Sequence, residues 1–232
     1  MPNIVEVENL TKVYRRGNAE IRPLDGVSLS VEEGDFLSLM GPSGSGKTTL
    51  LNIVAGIDAP TSGTVQVAGA DLTSLSDAAL SKWRTHNVGY VFQIYNLVPV
   101  LTARENVGLP LLLFRMSRAE RRRHTEAAMK AAGILDRADH YPRQLSGGQE
   151  QRVAIARAIV TDPRLIVADE PTGDLDANAE VEIMELLAAL NKQFGKTFIM
   201  VTHDPHAAAY AGRTLHLNKG VLHDGALPVE AR

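Results

Sequence analysis

The stretch Gly41-Pro42-Ser43-Gly44-Ser45-Gly46-Lys47-Thr48-Thr49 decides how this chain is read. An apolar run, Phe36 to Met40, leads into it, and a second, Leu50 to Ala55, leads out. That is the strand–loop–helix setting in which G-x-x-x-x-G-K-[ST] becomes a phosphate cradle rather than a chance string. Gly41, Gly44 and Gly46 lack a Cβ, so the backbone can wrap closely and turn its N–H groups toward a polyphosphate. A helix starting near Lys47 aims its unpaired N–H groups and positive dipole end at the same point. The pattern puts Lys47 on the β- and γ-phosphates of a nucleoside triphosphate and the Thr48 hydroxyl on Mg²⁺.

A second chemical signal lies downstream. Leu165-Ile166-Val167-Ala168-Asp169-Glu170 reads as a buried parallel strand ending in two carboxylates. Asp169 suits the Mg²⁺-holding acid of phosphate-loop enzymes, and Glu170 can orient or deprotonate an attacking water. Thr197 to Val201 is another apolar strand, closing on Thr202-His203-Asp204. His203 there is either a packed, hydrogen-bonded histidine or a functional one. The spacing His203-x-x-His206, without a third ligand in view, does not make a metal site.

Composition narrows the classes. The 232 residues, 44% of them hydrophobic, suit one α/β domain with a sizeable insert. A net charge of −3 offers no global case for nucleic acid. The absence of cysteine excludes disulfides and thiolate metal sites and fits a reducing compartment. Met1 to Leu10 carries Glu6 and Glu8 and does not read as a signal peptide. Apolar stretches such as Leu109 to Phe114 fall far short of the roughly 20 residues a spanning helix needs. The expectation is a soluble chain that reaches a membrane only through a partner.

Along the chain, Ile4 to Leu10 and Val27 to Val31 read as strands, with Glu33-Gly34 turning into the phosphate-loop strand. Tyr14, placed between those first strands, is either sheet packing or a stacking face for a base. Thr64 to Val67 is a short strand, Ser76 a helix cap, and Val88 to Phe92 a strand ending at Gln93. Thr102-Ala103-Arg104-Glu105 and Ser117-Arg118-Ala119-Glu120 each fit the capping box that opens a helix. Arg121 to His124 reads as a solvated helix face, or as a contact for anionic lipid headgroups. Leu145-Ser146-Gly147-Gly148-Gln149 precedes the apolar helix Val153 to Val160. Ser-x-x-Gln is itself a capping box, but two glycines in a first turn cost up to about 1 kcal/mol each. Close approach of a ligand to a helix N-terminus, a second anion site, accounts for them. Glu180 to Leu190 reads as a helix, Thr214 to Leu217 with Val221 to His223 as a hairpin, and Ala226 to Arg232 as a loose tail.

In this order the motifs resemble the ATP-binding subunit of an ABC transporter, over nearly the whole chain. The pairing of the phosphate loop with Leu145 to Gln149 is specific to that superfamily. The resemblance implies one α/β domain: a phosphate-loop NTPase core with an N-terminal antiparallel β-subdomain and an inserted α-helical subdomain. Residues 1–93 and 161–232 would form the core, and about 94–160 the helical part. It implies that Tyr14 stacks on adenine and that Gly41 with Ser43 to Thr49 holds the phosphates of ATP. Thr48, Gln93 and Asp169 would hold Mg²⁺, with Gln93 also sensing the γ-phosphate. Glu170 would be the catalytic base, assisted by Lys47, Gln93 and His203 at the γ-phosphate. Ser146, Gly147, Gly148 and Gln149 would close over the ATP of a second subunit, with Asp174 and Asp176 in the loop coupling the two sites. Glu150 departs from the glutamine expected there, outside the phosphate-contacting residues.

Phe92 to Pro99, Leu101 to Val107 and Asp169 to Asp176 resemble the lipoprotein-release, macrolide-export and cell-division group, which often has Asn at the place of Asp174. The implied partners are a transmembrane permease and a twin ATPase in a head-to-tail homodimer; Asn96 to Leu101 and the start of the helix beyond, apolar and adjacent to Gln93, are the candidate docking surface for the permease. No nucleic acid is implied, and the location is cytoplasmic, peripheral on the inner face of the cell membrane. A soluble ABC ATPase of an assembly complex, and a permease-linked regulator of cell-wall enzymes that exports nothing, are the rival readings.

Overall fold

The computed structural model describes residues 2–17 and 19–224, so the expected loose tail lies outside the described residues. Two sheets organise the fold. The first is antiparallel, in the order β2 (Ala19–Glu32), β1 (Asn3–Arg16), β4 (Ser62–Val67), β5 (Ala70–Asp71). The second holds β10 (Val221–Asp224), β9 (Arg213–Asn218), β3 (Phe36–Met40), β8 (Thr197–Val201), β7 (Leu165–Asp169) and β6 (Val88–Val91), in that order. Its strands from β9 to β6 are parallel, and only β10 joins antiparallel. A parallel sheet must be covered on both faces, which is why β7 and β8 are apolar almost without interruption.

The opening strands are longer than the hydrophobic alternation suggests. β1 runs 14 residues, past Leu10 to Arg16, so Tyr14 lies within it, paired with Ile21 of β2, rather than between strands. The pattern breaks at Asn9, which takes φ +50° and shifts the register. Such a bulge turns the strand and re-aims its side chains, so the polar outer half of the ribbon does not alternate.

Helix α1 (Lys47–Val54) buries Leu50, Leu51, Ile53 and Val54 between the two sheets. On the opposite face of the parallel sheet, α6 (Ala177–Phe194) packs Ile183, Met184 and Leu187 against Phe36 and Phe198. α2 (Asp77–Asn87) precedes β6. Between β6 and β7 the chain is helical: α3 (Ala103–Gly108), α4 (Arg118–Ala131) and α5 (Gly147–Ile159). These three, with Leu111 from the short helical turn that follows α3, share their own core of Val107, Leu111, Met129, Val153 and Ala156. Both expected capping boxes form, at Thr102/Glu105 and Ser117/Glu120. α7 (Pro205–Ala208) follows β8, capped by Asp204.

Candidate nucleotide site

The C-terminal ends of β3, β7 and β8 point at one cleft of about 660 Å³. Gly41 to Thr49, Glu170 and His203 line it, with Tyr14, Ile21 and Pro23 closing the other end. β3 is buried on both faces, so its polar continuation must emerge at the sheet edge, and that continuation is the phosphate loop. Gly46 caps α1 at φ +103°, ψ +3°. A Cβ there would stand 2.3 Å from the Pro23 carbonyl oxygen. The glycine is therefore demanded by the packing of the loop on β2 before any ligand arrives.

Lys47 is only 7% exposed and donates to the carbonyl oxygens of Gly41 (2.8 Å) and Pro42 (3.0 Å). Burial pulls the ammonium below its ordinary range, and the nearby Glu170 and Asp169 carboxylates oppose that. The Thr48 hydroxyl donates to Asp169 Oδ1 at 3.2 Å. Burial raises the Asp169 carboxyl above its usual range, with the Thr48 bond and Lys47 pulling down and Glu170 pushing up. Ser45 Oγ is buried and has no hydrogen-bond partner among the described residues. A buried orphan hydroxyl beside a cation that donates to loop carbonyls is a donor set in want of an acceptor.

Glu170 occupies φ +46°, in the left-handed region, and its N–H donates to the Val201 carbonyl at 2.9 Å. Strained non-glycine backbone of this sort persists only where its surroundings hold it. Here it turns the carboxylate off the strand axis, 3.2 Å from His203 Nδ1. Gln93 lies just past β6 and does not line the cleft, but a Cβ on Gly173 would stand 3.3 Å from its Nε2 and 3.6 Å from Glu170 Oε2. Gln93 and Glu170 therefore approach one point from two strands.

Tyr14, 41% exposed, donates through its phenol to Asp58 Oδ2 at 2.6 Å. Lys12 bonds the other oxygen of Asp58 at 2.6 Å and sits over the Tyr14 ring, 4.8 Å from its centre. Ile21 flanks Tyr14 across the β1–β2 pair, giving that end of the cleft an apolar, aromatic wall. Lys12, Ile21, Pro23 and Asp58 escape sequence reasoning, because nothing local ties Asp58 to a tyrosine 44 residues earlier.

The remaining expected residues lie elsewhere in the chain. Ser146 caps α5 and completes the capping box with Gln149, whose side-chain oxygen accepts from the Ser146 N–H at 3.0 Å. Gly147 and Gly148 fill the first turn. A Cβ on the first would be 3.0 Å from the Tyr95 hydroxyl, and on the second 3.2 Å from Ala179 Cβ. Crowding within the chain thus accounts for part of the glycine requirement that sequence reasoning assigns to a ligand. Ser146, Gly148 and Gln149 line a different cleft, of about 550 Å³, together with Arg152 and Asp176. It shares no lining residue with the phosphate-loop cleft. Asp174 and Asp176 are exposed, and Asp176 caps α6, accepting from the N–H groups of Asn178 and Ala179.

A parallel sheet that delivers a phosphate loop, an acidic pair and a histidine to one cleft has the architecture of a phosphate-loop NTPase. Residues 24–173 match the family model described as ABC transporter. The uncharacterised ABC transporter ATP-binding protein MJ0796 of Methanocaldococcus jannaschii is 47% identical over 221 residues, 94% of each chain. The lipoprotein-releasing system ATP-binding protein LolD of Geobacter metallireducens is 44% identical, covering 95% of this chain and 98% of its own. The solved dimer of the MJ0796 cassette, in a post-hydrolysis state with ADP and Pi, superposes with a TM-score of 0.87 at 45% identity, covering 95% of this chain and 98% of that one. The chain belongs to the ABC transporter family, as an ATP-binding subunit that hydrolyses ATP. Among the described residues no helix is long and apolar enough to cross a membrane.

Proposed function

We propose that this chain drives a separate permease of the lipoprotein-release, macrolide-export or mechanotransmission type, working as a head-to-tail homodimer that encloses two ATP molecules. The observation that carries the proposal is the separation of the two clefts. The phosphate loop and the Ser146 turn line different clefts of one chain, so each chain would supply two different halves of a site. A second copy, rotated by a two-fold axis, completes both at once.

Within each composite site the loop N–H groups, the Ser45 hydroxyl and Lys47 bind the phosphates, while Tyr14 and Ile21 take the adenine. Phosphate binding gives Lys47 an anionic partner in place of carbonyls, which offsets its burial. The donor set also fits Mg²⁺: the Thr48 hydroxyl and the Asp169 carboxylate are hard oxygen ligands 3.2 Å apart, beside the phosphate cradle, with the Gln93 amide as a further candidate. When bound, the ion would supply charge neutralisation at the phosphate oxygens. Glu170 orients the attacking water and accepts its proton, and Gln93, which meets Glu170 beside Gly173, would sense the γ-phosphate. His203 exchanges its contact with Glu170 for the γ-phosphate. Ser146 and the N–H groups of Gly147 and Gly148 from the twin meet the charge on the opposite side. Asp176 lines the Ser146 cleft and Asp174 precedes it by two residues, which supports a role for this loop in coupling the two sites.

ATP drives closure because only the closed dimer satisfies both faces of the γ-phosphate, and a ligand shifts an equilibrium only through such differential affinity. The permease would dock on Asn96 to Leu101 and the adjoining groove of about 260 Å³ lined by Ile57, Phe92, Pro110 and Leu113. Ile94 is 70% exposed and Val100 77%, an apolar pair open to solvent on this face. Arg157 of α5 ties this segment to the Ser146 helix by donating to the carbonyls of Tyr95 (2.7 Å) and Asn96 (2.6 Å). Such docking would hold the chain on the cytoplasmic face of the membrane.

The test is Glu170→Gln, which removes the proton acceptor while keeping the shape. It should abolish turnover and trap an ATP-dependent dimer, read by light scattering on a sizing column. Monomers at saturating ATP and Mg²⁺ would refute the shared site.

A further inference from the structure

Tyr14 is not held only by the strand that carries it. Its ring stands on the polar outer half of the β1–β2 ribbon, and its phenol is fastened by the turn that follows α1. The Asp58 carboxylate accepts from the phenol on one oxygen at 2.6 Å and from Lys12 on the other at 2.6 Å. Asp58 also accepts from the Ala59 N–H at 2.8 Å, and its own N–H donates to the Asn52 carbonyl in the last turn of α1 at 3.2 Å. At the opposite end of α1, Thr49 lines the same cleft as Tyr14. Lys12 spans the network, with a side chain only 12% exposed and its ammonium over the ring. The part of Tyr14 that stays exposed lines the cleft.

We infer that Asp58 is a positioning residue for the nucleobase, fixing Tyr14 to the helix that carries the phosphate loop so that ring and loop keep one spacing. This rests on the reading of Tyr14 as the adenine platform. A free tyrosine on an exposed ribbon would rotate about two side-chain torsions, and ordering it would cost affinity at each binding event. The Asp58 bond settles that order in advance. It also commits the phenol to the protein, leaving Tyr14 to recognise the base through its face alone. The consequence falls on the base-dependent part of affinity and leaves the phosphate-dependent part untouched.

The experiment measures KM and kcat for ATP together with inhibition by inorganic tripolyphosphate, which has no base, in Asp58→Ala, Tyr14→Phe, the double variant and Tyr14→Ala. Loss of one such hydrogen bond predicts a rise in KM of about fivefold for Asp58→Ala. The kcat at saturation should move less than about twofold, and tripolyphosphate inhibition should match the wild type. Tyr14→Phe, which keeps the ring and the Asp58–Lys12 pair, should raise KM similarly. The double variant should be no worse than either single one, as for residues acting through one bond. An unchanged KM in Asp58→Ala, or effects that multiply in the double variant, would overturn the inference. So would weakened tripolyphosphate inhibition in Asp58→Ala, since Asp58 would then be holding up the loop itself. If Asp58→Ala does not fold, Tyr14→Phe decides alone, and an unchanged KM there is equally damaging. An unchanged KM in Tyr14→Ala would instead remove the adenine platform on which the inference stands.

Discussion

Replacing Gly46 by alanine separates what the phosphate loop needs for folding from what it needs for its ligand. Gly46 sits at φ +103°, ψ +3°, outside the region an L-residue adopts without strain, and a Cβ would lie 2.3 Å from the Pro23 carbonyl oxygen and 3.1 Å from Leu24 Cδ2. The carbonyl belongs to β2 and cannot rotate aside as a side-chain end would. The backbone strain costs about 1–3 kcal/mol. The overpacking costs about another 1–3 kcal/mol, so the nucleotide-free protein should lose about 2–6 kcal/mol. Gly44 provides the comparison: at φ +77° it meets nothing within 4 Å, so Gly44→Ala should cost only about 1–2 kcal/mol. Urea denaturation of both variants without nucleotide reads the difference as a shift in midpoint at similar slope. Equal midpoints for the two variants would mean that Gly46 is kept for the ligand alone, and that its packing against Pro23 imposes nothing on the fold.

Lys47→Ala removes a buried cation with charge-assisted bonds to make, and should weaken ATP binding by about 10- to 100-fold in calorimetry; unchanged affinity would take Lys47 out of the site. Ser146→Arg should leave ATP binding to the monomer intact while abolishing ATP-dependent dimers and lowering turnover at least about 100-fold; a normal ATPase rate would end the assignment of the Ser146 turn. Asp169→Asn should stabilise the nucleotide-free protein at pH 7 while costing Mg²⁺-dependent activity. The sign follows from the raised carboxyl: its charged form is disfavoured in the folded state, so the cost is present above the folded pKa. That cost disappears as the pH falls through the folded pKa toward the unfolded value of 3.8, and the gain from Asp169→Asn should fade over the same window. A variant that melts below the wild type at pH 7 would contradict this.

Much of the site is legible in the sequence because it consists of short contiguous motifs at strand ends. A buried parallel strand must stop where its apolar run stops, so Met40, Asp169 and Val201 mark one edge of the sheet before any coordinates are known. The capping boxes at Thr102, Ser117 and Ser146 are equally local, each confined to a single helical turn. The reach of β1 to Arg16 is not legible, because the bulge at Asn9 breaks the alternation that would have carried the reading outward.

What the sequence by itself determined is the chemistry: a phosphate loop, an acidic strand end, a histidine, and a helix start bearing two glycines. Only the tertiary structure decided how these are distributed. It put the Ser146 turn and the phosphate loop in separate clefts, set Gln93 beside Glu170, and brought Asp58 to Tyr14 across 44 residues. The physical reason is range. Backbone conformation and capping are settled by neighbours along the chain, whereas a hydrogen bond between distant residues depends on sheet order and helix packing. No local pattern encodes those.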